Sequence, residues 1–282
     1  MKTHSQRNIA LNYVFATIFM LLLMTTKSFA ALEPREQPLN MTTSVIIPCH
    51  YTHFPLIQKL LTTYENQSVL PDEIVISLSG CQNISPDTVQ QVENQPWSFN
   101  LKIVQSPQRL SAGQNRNIAC TYSTGDLIIC QDADDLPHPQ RVEALKHIFE
   151  HFKLDHLMHY FYYITRVDDV AVFDFKIDLE GLDGFLSYGT TYHETLEKGG
   201  GTYGQVAIHN GNIALTRNLF DQIKWPEEFS RAEDTDFNIN VYKKVQYKAL
   251  LTLPLISYRQ FLSTDQAAIN ESERHIHGFS NR

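Results

Sequence analysis

Strand and helix patterns alternate between residues 44 and 152, and this alternation constrains the fold more than any other feature of the chain. Four short β-branched or apolar runs have the length of buried strands: 44–47, 73–78, 101–104 and 126–131. Apolar residues at helical spacing occur between or after them, at 55–66, 112–122 and 137–152. Strands that alternate with helices are typical of βαβ units. The pattern predicts an α/β fold with a Rossmann-like, mostly parallel central sheet flanked by helices.

The alternation stops after residue 155, and a mixed second half follows. Residues 156–167 are aromatic and strand-like, and 170–175 are expected to form their hairpin partner. A glycine-rich loop is predicted at 198–204, a strand near 212–216 and a helix over about 232–245. We therefore expect one domain from 44 to 282, with halves at 44–136 and 137–282.

The first thirty residues resemble a secretory signal peptide. Lys2 and Arg7 precede an apolar run at 9–24, and Ser28 and Ala30 supply small residues at a cleavage site. The run is just shorter than a typical membrane span, so an uncleaved anchor is the alternative reading. Residues 31–43 read as a linker. We expect an exported chain, secreted or membrane-anchored through this segment alone.

Charge and cysteine content exclude several classes of function. Without the three basic residues of the leader, 20 Lys and Arg stand against 31 Asp and Glu. An acidic chain without a basic run is not expected to bind nucleic acid. The four cysteines lack C-x-x-C spacing, which argues against a zinc or redox motif. Cys49 and Cys81 are expected near strand ends, where either buried thiols or a disulfide would be consistent with the sequence.

Three carboxylates in four residues follow the predicted strand at 126–131. Asp132, Asp134 and Asp135 lie where an open α/β sheet binds ligands, at the carboxyl end of a strand. Magnesium-type ions bind one or two carboxylates together with substrate phosphates. The pattern therefore indicates a divalent cation carrying a diphosphate, and the alternative is an acidic loop that caps the next helix.

Four segments, in this order, resemble the family-2 glycosyltransferases with the GT-A fold. The resemblance covers about residues 44–245. Its motifs are the opening strand at 44–48, the Gly-Gln-Asn-Arg-Asn helix at 113–117, Gln-Asp-Ala-Asp-Asp at 131–135, and the pair at 211–217 and 232–237. Such a protein is expected to move a sugar from a nucleoside-diphosphate donor to a hydroxyl of a glycan, lipid or protein, with Mn or Mg as cofactor and inversion at the anomeric carbon.

The resemblance also implies roles for individual residues. Asp134 would bind the metal, with Asp132 and Asp135 as further metal ligands. The donor nucleotide would contact Pro48, Ser77, Arg116 and Asp132. Asp234 would be the catalytic base, a role typically worth about 10²- to 10⁴-fold in rate. The residues themselves leave alternatives open: Asp234 could be a carboxylate that stabilises a helix start, and Arg116 could pair with an acidic neighbour.

Neighbouring residues have other readings. Glu233 fits a capping box with Ser230 at the helix start, and Asp236 could form a salt bridge. Arg109 is a weaker candidate than Arg116 for a nucleotide contact. Histidines 209, 275 and 277 are weaker metal candidates.

Two other functions remain open. Residues 76–80 contain no carboxylate where the family usually holds the nucleotide base, which favours a catalytically inactive, exported glycan-binding protein on the same fold. A nucleotidyltransferase would also bind metal through paired acids, but no Gly-rich phosphate loop with Lys or Arg follows the first strand.

Overall fold

The computed structural model describes residues 33–163, 173–187, 210–228 and 233–258. All described residues belong to one compact unit, Leu32–Arg282. The predicted leader, the loop at 198–204 and histidines 209, 275 and 277 lie outside these ranges. Within the described ranges, no helix has the length and apolar character needed to cross a membrane.

One sheet organises the described residues. Its strands are β1 (Thr43–His50), β2 (Glu73–Ser79), β3 (Asn100–Ser106), β4 (Leu127–Cys130), β5 (Leu136–Pro137), β6 (His156–Tyr163), β7 (Leu186–Ser187), β8 (Ile213–Thr216) and β9 (Lys248–Tyr258). They lie in the order β3-β2-β1-β4-β8-β6-β9-β5, and β7 pairs with β9. The first four are mutually parallel, whereas β8 is antiparallel to both β4 and β6. A mostly parallel half thus joins a mixed half, as predicted.

Helices cover both faces of this sheet. They are α1 (Phe54–Glu65), α2 (Pro86–Glu93), α3 (Ala112–Tyr122), α4 (Arg141–His151), α5 (Arg217–Gln222) and α6 (Glu233–Lys244). Helices α1, α2 and α4 pack in one hydrophobic layer, and α3, α5 and α6 pack in the other.

Side chains of the central strands alternate between the two layers. In β4, Leu127 and Ile129 join the layer of α1 and α4, whereas Ile128 and Cys130 join the layer of α3 and α6. This follows from the two-residue period of a strand. All four side chains are fully buried, which explains why the segment is a continuous apolar run.

Two details of the predicted secondary structure are wrong. Residues 173–175 form no strand, and β6 pairs with β8 and β9; residues 164–172 lie outside the described ranges. Pro137 does not open a helix, because it pairs with Ile256 in the sheet and α4 begins at Arg141. Within the predicted linker, Arg35 Nε donates to the Phe152 carbonyl at the end of α4 (3.0 Å).

The cysteines are free thiols. Cys49, Cys120 and Cys130 are buried, and Cys81 is partly exposed. The alternative of a Cys49–Cys81 disulfide is therefore not realised in this structure.

Candidate active site

The acidic cluster lies where β4 leaves the sheet. Gln131 extends the strand pairing by donating its backbone N–H to Ile46 (3.0 Å), and the chain then turns, with Asp135 N–H bonded to the Asp132 carbonyl (3.3 Å). Asp132 and Asp134 remain partly exposed, whereas Asp135 is 1% exposed. The turn therefore presents two carboxylates at the carboxyl edge of the sheet and buries the third.

The strand alternation continues through this turn and gives each side chain its neighbours. Gln131 points to the layer of α1 and α4, where its Oε1 accepts from Tyr64 (2.9 Å) and Arg141 (2.7 Å). Asp132 points to the other layer, where Arg116 of α3 donates to its Oδ1 (2.9 Å). A shift of one residue would exchange these environments.

Arg116 connects the acidic cluster to the start of α6. Its Nη2 pairs with Asp132, while its Nη1 contacts Glu233 Oε1 (3.2 Å) and Asp234 Oδ1 (3.1 Å). The Arg116 side chain is only 4% exposed. Burial by itself would lower the pKa of this guanidinium, but the carboxylates of Asp132, Asp234 and Glu233 raise it above its ordinary value. Arg116 is thus a buried cation shared by three carboxylates.

Helix α3 is anchored at both sides of Arg116. Ser111 and Gln114 form a reciprocal capping box that fixes the helix start. Gly113 permits close packing, because a Cβ there would stand 2.5 Å from the Pro226 carbonyl oxygen. Asn117 donates to the Trp225 carbonyl (2.9 Å) and accepts from the Trp225 N–H (3.0 Å). The Trp225 ring stacks on Phe237 of α6 at 4.2 Å, so α3 and α6 are joined beneath the ion pairs.

Asp234 is held by two amide side chains as well as by Arg116. Asn210 Nδ2 donates to Asp234 Oδ1, and Asn238 Nδ2 donates to the Asp234 carbonyl (2.8 Å). Burial raises the pKa of the Asp234 carboxyl to about 7; Arg116 opposes this shift, whereas the Glu233 and Asp132 carboxylates add to it. A carboxyl with a pKa near neutrality can exchange a proton under ordinary conditions, as a general base requires.

The donor set at the edge of β4 fits a hard divalent cation. No group of three His, Cys, Asp or Glu side chains able to hold a metal occurs among the residues that the structure covers. Asp132 and Asp134 provide carboxylate oxygens, and magnesium-type ions at phosphate sites need only one or two of these besides the substrate. Asp135 is the least accessible of the three, so its predicted role as a metal ligand has the least structural support.

The other predicted site residues lie in different environments. Pro48 is partly exposed near the end of β1. Ser77 is 1% exposed beneath α3 and donates to Asn115 Oδ1 (2.8 Å), so it does not reach the open edge of the sheet. Arg109 and Asp236 are exposed. Glu233 bonds to Arg116; its expected capping partner Ser230 lies outside the described ranges.

Several residues at the site were not predicted from the sequence. Asn210 and Asn238 contact Asp234. Arg141 lies next to the acidic turn, and its guanidinium makes five hydrogen bonds without a carboxylate partner. The acceptors are His159 Nε2, Tyr64 Oη, Gln131 Oε1 and the carbonyls of Cys130 and Gly211. Asparagines carry no pattern that distinguishes them from surface residues. Arg141 has one signal, a charge on the apolar face of its helix beside Val142 and Leu145.

Comparison with known proteins decides the family. The family model described as "Glycosyl transferase family 2" matches residues 44–191, more than half of the chain. The chain belongs to glycosyl transferase family 2. A search of curated proteins found no match.

Solved glycosyltransferase structures share the fold of this family-2 chain. S. aureus TarS 1–349 in complex with UDP is 20% identical with a TM-score of 0.57, and covers 84% of this chain. The mannosyltransferase PcManGT from Pyrobaculum calidifontis, in complex with GDP-Man and Mn²⁺, is 18% identical with a TM-score of 0.54; the match covers 94% of this chain and 70% of that one. The chain spans 64% of TarS 1–349, just under two thirds. These likenesses establish the GT-A fold for this family-2 chain.

Proposed function

We propose that this glycosyltransferase moves a sugar from a nucleoside-diphosphate donor to a hydroxyl acceptor, with inversion at the anomeric carbon. The observation that carries the proposal is the single guanidinium shared by Asp132 and Asp234. Through this one side chain, the acidic turn after β4 is linked to the first turn of α6. Solved relatives with the same fold bind UDP, UDP-GlcNAc and GDP-Man.

Each residue then has a chemical task. Asp134, with Asp132, would hold a divalent cation, which when bound supplies positive charge to the departing diphosphate. Asp234 takes the proton of the acceptor hydroxyl while the hydroxyl oxygen attacks the anomeric carbon. The bond between that carbon and the diphosphate oxygen breaks on the opposite side, which inverts the configuration. Arg116 keeps the base and the donor side at a fixed separation.

Nucleotide release tests this proposal directly. UDP-GlcNAc and GDP-Man are supplied with and without Mn²⁺, water serves as the hydroxyl acceptor of the sugar, and release of UDP or GDP is measured. We expect metal-dependent release that falls at least about 100-fold in Asp134→Ala and in Asp234→Asn, since general-base help contributes about 10²–10⁴-fold. Asp236→Asn is the matched control, because Asp236 lies on the same turn but is exposed. Full activity of Asp134→Ala would overturn the assignment of the metal site.

One observation favours the inactive glycan-binding alternative. The end of β2 offers no carboxylate to a nucleotide base, and the Ser77 hydroxyl is already bonded to Asn115. A protein of this kind would bind glycans on an array equally well with Mn²⁺ or with EDTA and would release no nucleotide. Metal-dependent nucleotide release would reject it.

We also propose that the chain is exported through its first thirty residues. The basic and apolar pattern of 2–24 and the small residues at 28 and 30 support this proposal. Expression of the full chain followed by N-terminal sequencing of the product tests it. A mature chain that begins near Ala31 indicates cleavage, an intact chain in the membrane fraction indicates an anchor, and a cytoplasmic intact chain contradicts export.

A further inference from the structure

Among the described residues, both nitrogen donors to the Asp234 side chain reach the same oxygen, and the Glu233 carboxyl also lies within hydrogen-bonding reach of Asp234. Arg116 Nη1 (3.1 Å) and Asn210 Nδ2 both donate to Oδ1. No N–H group in the described part of the chain donates to Oδ2. A carboxylate offers acceptor sites on both oxygens. Oδ1 is thus engaged by two nitrogen donors, which makes Oδ2 the candidate oxygen for the acceptor proton.

Asn238 determines which way Asn210 faces. Asn238 lies one helical turn after Asp234, and its Nδ2 donates to both Asn210 Oδ1 (3.2 Å) and the Asp234 carbonyl (2.8 Å). The oxygen of the Asn210 amide is thereby engaged with Asn238, so its nitrogen points at Asp234. Both asparagines are fully buried, which removes water as a competing partner. Hydrogen bonds therefore connect Asn238 of α6 to Asn210 in the turn, and Asn210 to the Asp234 carboxylate.

We infer that Asn210 and Asn238 are positioning residues that hold the Asp234 carboxylate in the rotamer in which Oδ2 meets the acceptor hydroxyl. The inference deepens the proposed function, because it rests on Asp234 as the base. A base works only within hydrogen-bond reach of the proton that it takes, and a misplacement of about 1 Å can cost about 10²-fold in rate. Arg116 by itself gives Oδ1 one hydrogen-bond donor. Asn210 gives it a second donor, and the two together fix the rotation of the carboxylate.

Asn212 provides a matched control for a purely structural role. It lies two residues after Asn210 in the same turn, is also fully buried, and donates its amide to the His159 carbonyl (2.6 Å) rather than to Asp234. Replacing Asn210 or Asn212 removes a buried amide and a buried hydrogen bond in both cases. Of the three asparagines, only Asn210 and Asn238 change the contacts of Asp234 when they are replaced.

The experiment compares Asn210→Ala, Asn210→Asp and Asn238→Ala with Asn212→Ala. Nucleotide release from UDP-GlcNAc and GDP-Man gives kcat and KM, calorimetry gives the affinity for UDP and GDP with Mn²⁺, and crystal structures give the rotamer of Asp234. We expect the first three variants to lower kcat by about 10- to 100-fold, the factor that corresponds to one hydrogen bond to a charged group. Donor KM and nucleotide affinity should stay within about twofold of the parent, because neither asparagine contacts the acidic turn. Asn212→Ala should keep kcat even where its thermal unfolding temperature falls.

The crystallographic result is independent of the reaction. Asp234 should leave its parent rotamer in Asn210→Ala and keep it in Asn212→Ala. An unchanged Asp234 rotamer in Asn210→Ala, or a kcat loss no larger than that of Asn212→Ala, would overturn the inference. A parent protein that releases no nucleotide would reject the proposed function, while the rotamer comparison would still decide whether the asparagines position Asp234. Should Asn210→Ala not fold, Asn238→Ala and the nearly isosteric Asn210→Asp carry the same test.

Discussion

Arg116 illustrates how a single buried charge can hold a site together. Its guanidinium is 4% exposed and is balanced by Asp132, Glu233 and Asp234, which come from two elements far apart in the chain. The sequence left two roles open for this residue, a nucleotide-side contact and a pair with an acidic neighbour. The structure adds three ion pairs within the protein, so the side chain also has a structural role that precedes any ligand.

Replacement of Arg116 should therefore affect stability as well as activity. Arg116→Met keeps much of the apolar stem but leaves three neighbouring carboxylates without their cation. We expect the free energy of unfolding, measured by urea denaturation at pH 8, to fall by about 3 kcal/mol. The control is Lys153→Met, which breaks an exposed pair with Glu33 and should change stability little. Equal stability losses in the two variants would contradict a central role for Arg116.

Asp234 should give the enzyme a pH dependence near neutrality. Its pKa is raised to about 7, mainly by burial, and a general base must be deprotonated to act. Activity in nucleotide release should rise with pH, with a midpoint near 7, and fall about tenfold per unit below it. Asp234→Asn should be slow at every pH. A parent profile that is flat from pH 5 to 8 would contradict the assignment of Asp234 as base.

The same shift predicts how stability changes with pH. The folded-state pKa of Asp234 lies above its ordinary value of 3.8, so between about pH 4 and 7 the folded protein holds a proton that the unfolded chain has released. Stability from this group is therefore present at acid pH and is lost as the pH rises through 7. Urea denaturation at pH 5 and pH 8 should show a smaller loss over this range in Asp234→Asn than in the parent.

At the scale of elements, the contact between α3 and the segment before α6 controls the geometry of the ion pairs. Gly113 lies against Pro226, and Trp225 packs between Asn117 and Phe237. We expect a displacement of this segment to reach α6 through the stacked rings. Arg116 in the middle of α3 pairs with Asp234 in the first turn of α6, so their separation should depend on this packing.

Gly113→Ala tests this coupling. The added methyl group would meet the Pro226 carbonyl oxygen at 2.5 Å, which the backbone can relieve only by moving. We expect a loss of about 1–3 kcal/mol in unfolding free energy, the usual cost of overpacking, together with reduced kcat. Gly184→Ala is the control, because nothing lies within 4 Å of a Cβ at that position. A stable, fully active Gly113→Ala protein would show that α3 can shift without consequence.

For the molecule as a whole, the two helical layers enclose three of the four thiols. Cys49, Cys120 and Cys130 are completely buried within the layers. Burial also raises the pKa of the Cys130 thiol to about 12, which leaves almost no reactive thiolate at pH 8. Cys81, in a turn after β2, is the accessible one.

Thiol labelling of the native protein should therefore report one cysteine. We expect an aromatic disulfide reagent at pH 8 to modify about one thiol per chain quickly and the remaining three only after denaturation. Cys81→Ser should abolish the fast phase. A fast phase of two or more thiols in the parent would contradict the packing described above. So would a denatured chain in which Cys49 and Cys81 do not react as free thiols.

The sequence by itself determined the βαβ half of the fold and the position of the acidic turn. Strands β1 to β4 and helices α1, α3 and α4 carry local patterns of burial, and a local pattern can be read from consecutive residues. The helix at 86–93 and the short helix at 217–222 were not predicted. Strand β9 was missed as well, because its pattern is interrupted by Thr252 and Pro254.

Only the tertiary structure decided which side chains meet at the site. Arg116 and Asp234 are separated by more than a hundred residues, and Asn210 and Asn238 meet the carboxylate through contacts that no local pattern predicts. Ser77, which the family resemblance assigned to the donor nucleotide, is buried and donates to Asn115 of α3. Strand alternation fixes which face a residue takes, but the helix that packs on that face, and the charge it carries there, are set by contacts distant in the chain.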